Sequence, residues 1–339
     1  MDTGKNVMVF IEQASGAIAD VSMELVCEGG RLAEKTGGHV VAAAMGHGMS
    51  DALASLGRYG CRTVYYAEDQ RLERFTSLPY AKSMVGIINR YRPGVVLFGA
   101  TTTGRDIAPR VASELRCGLT ADCTELQIGE HRIKDKTYKN TLLQIRPAFG
   151  GNIVATIVSP ESHPSMATVR EGVMRISDPD ETKSAEIVME PAELSDADFP
   201  TRILETVTEE RCVDLKSAKI IVSAGMGASD PESLKLVKQL AKALGGVVGT
   251  SRPVADACVL PRDHQVGQTG TTVRPNLYIA CGISGQIQHR AGMAESKRII
   301  AVNRDPAAPI FDIAHYGIVG DVREVIPKMI KSYKVRGTV

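Results

Sequence analysis

The chain alternates short apolar runs with longer amphipathic stretches, and this alternation restricts the possible folds more than any other feature. In the first hundred residues, four short apolar and often β-branched runs predict buried strands, at Val7–Ile11, His39–Ala44, Thr63–Ala67 and Val95–Gly99. Three intervening stretches predict helices, at Val21–Glu34, Phe75–Arg90 and Ile107–Arg116. Asp106 is placed to cap the third helix. This order is typical of a mostly parallel sheet flanked by helices.

After Gly118 the pattern changes to shorter polar–apolar alternations. Three of them predict an antiparallel extension of the same sheet, at Cys123–Ile128, Leu142–Ile145 and Ile153–Ile157. Residues 176–200 are strongly acidic and are interpreted as a solvated surface connection. Arg202–Val207 is a candidate for a last strand of this domain.

A second β–α series begins near Leu215, and a chain of 339 residues is too long for one ordinary core. Its predicted elements are strands at Lys219–Ser223, Val247–Thr250, Leu277–Cys281 and Ile299–Asn303, and helices at Pro231–Leu244, from Gln286 and from Asp321. We therefore expect two α/β domains, each with a mostly parallel sheet, at residues 1–211 and 212–339.

Composition excludes several classes of protein. The 40 Lys and Arg residues nearly balance the 39 Asp and Glu residues, and aromatic residues make up only 4%, which disfavours nucleic-acid binding. No apolar run is long enough to cross a membrane. The N-terminus lacks a signal-peptide pattern, and the seven cysteines form no metal-binding spacing, so we expect free thiols, no metal and a cytoplasmic location.

Two glycine turns are candidate nucleotide sites. Gly99–Asp106 joins a strand to a helix but lacks the lysine of a P-loop, so a structural turn is favoured. Gly225-Met226-Gly227 begins like the dinucleotide fingerprint but has Asp230 at the third glycine position. An NADP-dependent oxidoreductase that uses this turn, with Arg252 for a 2′-phosphate, is the alternative function.

Several polar residues are predicted to meet at one edge of the second sheet. The loop Gln265–Gly270 offers amides and a hydroxyl, and Leu277–His289 runs from a buried strand through Gly-Ile-Ser-Gly into a predicted helix. Because parallel strands end at a common edge, these groups should converge with others that follow strands, namely Ser251, Arg252, Thr269, Ser284, His289, Asn303 and Asp321. This convergence favours a large bound nucleotide.

These motifs resemble those of the electron-transfer flavoprotein α-subunit family. The matching segments are Gly104–Arg110, Arg146–Asn152, Thr250–Arg252, Val266–Gly270, Leu277–His289, Ile300–Asp305 and Tyr316–Asp321. The resemblance implies an FAD in a Rossmann-like C-terminal domain and an N-terminal domain that contacts a homologous β subunit. It also implies that the protein is an electron carrier rather than an enzyme. Such a carrier serves an acyl-CoA or other flavin dehydrogenase, sometimes within an electron-bifurcating complex.

The resemblance also implies roles for individual residues. Arg252 would lie over the flavin ring, Thr269 would bind its N5 and His289 would face its C2 carbonyl, so all three would tune its potential. The remaining cofactor-binding positions would be Ser251, Val266, Gly267, Gln268, Ser284, Gly285, Gln286, Ile287, Gln288, Asn303, Asp321 and Val322. Met226 and Thr271 stand where the family usually has Arg and often Lys, so somewhat weaker FAD binding is expected.

Overall fold

The computed structural model of the chain describes residues 3–14, 16–148, 153–207 and 213–336. These residues form two compact units. The first contains the described residues up to Ala148 and from Ile153 to Glu205, and the second contains those from Thr206 onward. The predicted domain boundary, between residues 211 and 212, lies outside the described residues.

The first unit is built on a seven-stranded parallel sheet. The strands of the whole unit, in chain order, are β1 (Val7–Ile11), β2 (Gln13–Ala14), β3 (Ala17–Ile18), β4 (Val40–Gly46), β5 (Thr63–Glu68), β6 (Val95–Gly99), β7 (Leu119–Cys123), β8 (Glu125–Ile133), β9 (Lys136–Ala148), β10 (Ile153–Ile157), β11 (Ser165–Val169) and β12 (Glu186–Glu190). Its α-helices are α1 (Asp20–Thr36), α2 (Ser50–Ala54), α3 (Ser77–Tyr91) and α4 (Thr102–Leu115). The large sheet has the order β12-β5-β4-β1-β6-β11-β7.

Strand β1 is the middle strand of the large sheet, and every one of its side chains is buried. Val7, Val9 and Ile11 pack into the core on one face of the sheet, beneath α1. Met8 and Phe10 pack into the core on the other face, beneath α3 and α4. A strand covered on both faces needs a continuous apolar run, and this explains the lack of polar alternation in its sequence.

The region after Gly118 differs from the prediction. Strand β7 joins the large sheet in parallel with β11. Strands β8, β9 and β10 form a separate three-stranded antiparallel sheet, so the predicted antiparallel extension of the first sheet is wrong. Alternation of polar and apolar residues identified strands here, but it does not determine which neighbour each strand pairs with.

Three further predictions are wrong. Asp106 does not cap α4, because the helix begins at Thr102 and the Thr101 hydroxyl accepts the Gly104 amide at 2.9 Å. The acidic segment is not merely a surface connection, because β12 lies within it and pairs with β5 at the sheet edge. By contrast, Arg202–Val207 is exposed coil and forms no strand.

The second unit contains a five-stranded parallel sheet. Its strands are β13 (Ile220–Ala224), β14 (Val247–Thr250), β15 (Leu277–Cys281), β16 (Ile299–Asn303) and β17 (Tyr316–Val319), in the order β14-β13-β15-β16-β17. Its helices are α5 (Pro231–Leu244), α6 (Arg252–Asp256), α7 (Ile287–Arg290) and α8 (Val322–Arg336). Two mostly parallel sheets flanked by helices confirm the predicted fold class.

The two faces of this second sheet are covered differently. Helices α5 and α8 cover one face, where Val237 and Ile326 are fully buried. Irregular segments cover the other face and contribute Val266, Ile283 and Ile310 to its core. The predicted helix from Gln286 is only the four-residue α7. Within the described ranges, no helix combines the length and apolar character needed to cross a membrane.

Candidate functional site

A cavity of about 570 Å³ opens at the carboxyl edge of the second sheet. The chain leaves β13 for β14 on one side and later forms β15 on the other side, so the strand order reverses between β13 and β15. Open parallel sheets bind ligands at such a reversal. The cavity wall includes Ser251, Arg252, Val266, Gly267, Gln268, Thr269, Ser284, Gln286, Gln288, His289 and Asn303 among the predicted residues.

Four predicted binding residues are absent from the cavity wall, namely Gly285, Ile287, Asp321 and Val322. Gly285 has φ +86° and packs so closely that an added Cβ would lie 2.3 Å from the Ile310 amide nitrogen. Asp321 caps α8, where its carboxylate accepts the Arg323 amide at 2.8 Å and pairs with Arg304. In the structure, Gly285 and Asp321 therefore serve backbone packing and helix capping.

Two glycine turns meet at the strand reversal. Gly227 donates its amide to the Gly282 carbonyl at 3.1 Å. A Cβ on Gly225 would lie 2.2 Å from the Gly282 oxygen, and one on Gly282 would lie 2.6 Å from the Gly227 carbonyl carbon. The glycines that resemble a dinucleotide fingerprint are thus required for contact between the turns that follow β13 and β15.

The Gln265–Gly270 loop is held in place from two sides. The Val266 amide donates to the Thr250 carbonyl at 2.9 Å, which attaches the loop to the end of β14. The Gln268 amide donates to the Gln288 carbonyl at 2.7 Å. Thr269 accepts a hydrogen bond from the Gln265 side chain at 2.9 Å and is exposed to the cavity side. The loop is therefore preorganised by the protein itself.

Arg252 is a cationic side chain of the cavity wall. It is the first residue of α6, and its side chain is 64% exposed. Its Nε lies 3.2 Å from the Asp256 carboxylate, one helical turn away. An exposed pair of this kind contributes little stability, so the guanidinium can turn toward a ligand at small cost.

Three residues of the cavity wall were predicted to tune the redox potential. His289 is the most buried of them, with 7% of its surface exposed. Its Nε2 lies 3.0 Å from the Tyr278 hydroxyl, and its buried Nδ1 has no hydrogen-bond partner among the described residues. Burial lowers the pKa of His289 to about 4, although the nearby Val266 backbone opposes the shift. The imidazole is therefore neutral at physiological pH and can donate one proton.

Asn303 is the last residue of β16, and its side chain forms hydrogen bonds within the protein. It donates from Nδ2 to the Ile283 carbonyl at 2.8 Å and accepts the Asp305 amide at 3.0 Å through Oδ1. These bonds hold the turn after β15 against the turn after β16. Asn303 consequently shapes the cavity wall.

Comparison with known proteins identifies the family. Residues 7–195 match the family model of the electron transfer flavoprotein domain, and residues 214–294 match that of the electron transfer flavoprotein FAD-binding domain. The chain is 46% identical to electron transfer flavoprotein subunit alpha of Thermoanaerobacterium thermosaccharolyticum, over 98% of this chain and 99% of that protein. The chain belongs to the electron transfer flavoprotein α-subunit family.

Other relatives of the chain have different names. An acryloyl-CoA reductase electron transfer subunit beta of Anaerotignum propionicum is 42% identical, over 97% of this chain and 96% of that protein. Protein FixB of Clostridium saccharobutylicum is 43% identical, over 97% of this chain and 96% of that protein. The names of the first two relatives describe electron transfer, and membership places this chain in electron transport.

FAD is the cofactor of this flavoprotein domain, and the cavity fits such a group. Its volume lies within the range of about 300–1,000 Å³ that is usual for ligand pockets. Its wall is mostly uncharged and supplies side-chain amides, hydroxyls and one flexible guanidinium. His289 adds a buried nitrogen that lacks a partner. A polar, edge-binding heterocycle matches these features.

Some residues of the cavity wall were not among the predicted cofactor-binding positions. The cavity wall also includes Met226, Gly227, Pro253, Gln265, Gly282, Ile283, Asp305, Ala308 and Pro309. Most of them directly follow a strand or adjoin a predicted residue, so position after a strand end was the signal that could have found them. Tyr278 lies inside buried β15, and no sequence signal indicated its contact with His289.

Proposed function

We propose that this chain is the α subunit of a heterodimeric carrier that passes electrons one at a time between a flavin dehydrogenase and a redox acceptor. The observation that carries the proposal is the cavity at the strand reversal, because it lies in the FAD-binding domain and is lined by most of the predicted polar residues. The protein is a carrier and has no small-molecule substrate of its own.

Bound FAD supplies one-electron redox chemistry, and the chain supplies binding and electrostatics. Arg252 would bring its exposed guanidinium to the flavin ring and favour added negative charge there. Thr269 would offer its hydroxyl from the preorganised loop toward N5, and His289 would offer the proton on its Nδ1 toward the C2 carbonyl. The side chains of Ser251, Gln268 and Ser284 would hold the remainder of the cofactor.

The dehydrogenase partner is proposed to be of the acyl-CoA type. One relative of high identity is named as an electron transfer subunit of acryloyl-CoA reductase, and this name supports the proposal. The N-terminal unit is proposed to contact the homologous β subunit. A second flavin in that subunit would make the complex electron-bifurcating, whereas AMP there would make it a simple shuttle.

Co-purification with the β subunit tests the proposal. We expect a yellow heterodimer whose spectrum contains flavin bands, and extraction should yield FAD. Two FAD per heterodimer would support bifurcation, and one FAD with AMP would support a shuttle. A colourless protein that binds NADPH would overturn the proposal and favour the NADP-dependent alternative. Reduction by an acyl-CoA dehydrogenase, followed in a stopped-flow spectrometer, tests the partner class.

A further inference from the structure

A polar group lies behind the cavity-wall residue His289, inside a mostly apolar core. Tyr278 belongs to β15 and is fully buried, and its hydroxyl lies 3.0 Å from Nε2 of His289. Ile221, Ala280 and Met293 are buried in the same core. Burying a phenol hydroxyl among such side chains is unfavourable unless it is hydrogen-bonded. The contact with His289 is therefore a specific feature of this core.

The neighbouring strand adds a second hydroxyl. Ser223 belongs to β13 and is fully buried. Its hydroxyl forms no well-aligned hydrogen bond, but it lies close enough to Tyr278 to oppose the effect of burial on the phenol pKa. If Ser223 donates toward Tyr278, the phenol proton is directed to His289. This direction gives each hydroxyl proton an acceptor.

The imidazole then has one defined protonation pattern. A neutral histidine carries its proton on one ring nitrogen and accepts at the other. If Nε2 accepts from Tyr278, the proton resides on Nδ1, which forms no well-aligned hydrogen bond within the described residues although the Val266 backbone lies nearby. A hydrogen bond made by one ring nitrogen commonly fixes the state of the other.

We propose that Tyr278 is a positioning residue that holds His289 as the Nδ1–H tautomer and thereby makes it a hydrogen-bond donor toward the bound flavin. This inference rests on the proposed function for its redox consequence, but the tautomer itself is a property of the chain alone. Ser223 supports Tyr278 from the adjacent strand. Neither residue was among the predicted site residues.

The first test is nuclear magnetic resonance of the heterodimer labelled with ¹⁵N-histidine. The His289 signals are identified by their loss in His289→Asn. We expect a protonated Nδ1 and an unprotonated Nε2 in the wild type. In Tyr278→Phe the tautomer ratio should shift about fivefold toward Nε2–H, the factor that one ordinary hydrogen bond supplies. An unchanged ratio, or a wild-type proton on Nε2, would overturn the proposal.

The second test is a double-mutant cycle on the first-electron midpoint potential. Tyr278→Phe should lower this equilibrium about three- to fivefold, which is about 30–40 mV at 59 mV per tenfold change. The same substitution in a His289→Asn background should have no effect, because the residue acts through the imidazole. A shift that persists in that background would show a general effect on the core and would refute the proposal.

A matched control is Tyr80→Phe, which removes another buried phenol hydroxyl, one that donates to the Leu72 carbonyl at 2.6 Å in the first unit. It should change neither the His289 tautomer nor the first-electron midpoint potential.

The proposed function and the positioning role of Tyr278 can fail separately. A heterodimer without flavin would refute the proposed function while the tautomer measurement still decides the role of Tyr278. A flavin-containing heterodimer with no coupling would refute the positioning role alone.

Discussion

Replacing Glu12 with glutamine should stabilise the protein increasingly as the pH rises from 5 to 8.5. Glu12 directly follows β1 and is only 7% exposed. Its Oε2 accepts the Thr101 hydroxyl at 2.7 Å, and its buried Oε1 has no hydrogen-bond partner among the described residues. Burial raises the pKa of Glu12 from 4.5 to about 7, the Thr101 hydrogen bond lowers it and nearby Glu171 raises it further.

The sign follows from proton linkage. The folded state binds this proton more tightly than the unfolded state, so the wild type loses stability as the pH rises from 4.5 through about 7. A shift from 4.5 to about 7 corresponds to about 3 kcal/mol when the carboxyl is fully ionised. Most of this, about 2 kcal/mol, should appear between pH 5 and 8.5. Glutamine cannot ionise, so the variant lacks this loss.

The assay is urea unfolding followed by circular dichroism, because the chain contains no tryptophan. Hydrogen exchange in β1 and β6 assigns the transition to the first unit. The pH dependence of the difference is the measured quantity, since any fixed cost of the new amide cancels. Glu34→Gln, on the exposed surface of α1, is the control and should give a flat difference. A flat or falling difference for Glu12→Gln would refute the reasoning.

Three further substitutions test the cofactor site and its support. Arg252→Ala should lower the first-electron midpoint potential by about 40 mV with FAD still bound, because an exposed cation contributes about 1 kcal/mol. Spectroelectrochemistry measures this potential, and an unchanged value would exclude a redox-tuning role for Arg252. Gly285→Ala should destabilise the second unit by about 1–3 kcal/mol, because its φ is +86° and the new Cβ would lie 2.3 Å from the Ile310 nitrogen. Gly245→Ala has φ +68° with nothing within 4 Å of its Cβ and is the thermal-unfolding control; equal losses would contradict the packing argument. Met226→Arg adds a cation at the exposed cavity rim and should tighten FAD binding several-fold in calorimetry, whereas Met226→Gln should not; equal affinities would disprove an electrostatic gain.

The sequence predicted the strands of both sheets most reliably where both faces are buried. Val7–Ile11 and Leu277–Cys281 have the predicted bounds because a continuous apolar run of this length leaves little choice. The edge strand β12 was missed, since only its last residue, Glu190, is buried and its acidic residues are typical of a solvated segment. The acidic β12 therefore lacks the apolar run that identified the central strands and also the edge strand β14, which has the predicted bounds.

The candidate site was predictable as a group because parallel strands bring their ends together. Ser251, His289 and Asn303 therefore lie around one cavity although they are distant in sequence. Their individual contacts were not predictable. The engagement of Asn303 with Ile283 depends on which turns touch, and a single sequence does not specify this. The helix predicted from Gln286 is short for the same reason, because tertiary packing overrides local spacing.

A single position distinguishes the strand reversals of the two sheets. In each unit the order reverses beside the first strand, between β1 and β6 and between β13 and β15. The residue after β1 is Glu12. Its Oε1 would lie only 2.5 Å from a Cβ added at Gly99. The residue after β13 is Gly225, which has no side chain. The carboxyl of Glu12 therefore occupies the reversal in the first sheet, whereas Gly225 admits the Gly282 turn at the second reversal, and the cavity lies beside these two turns.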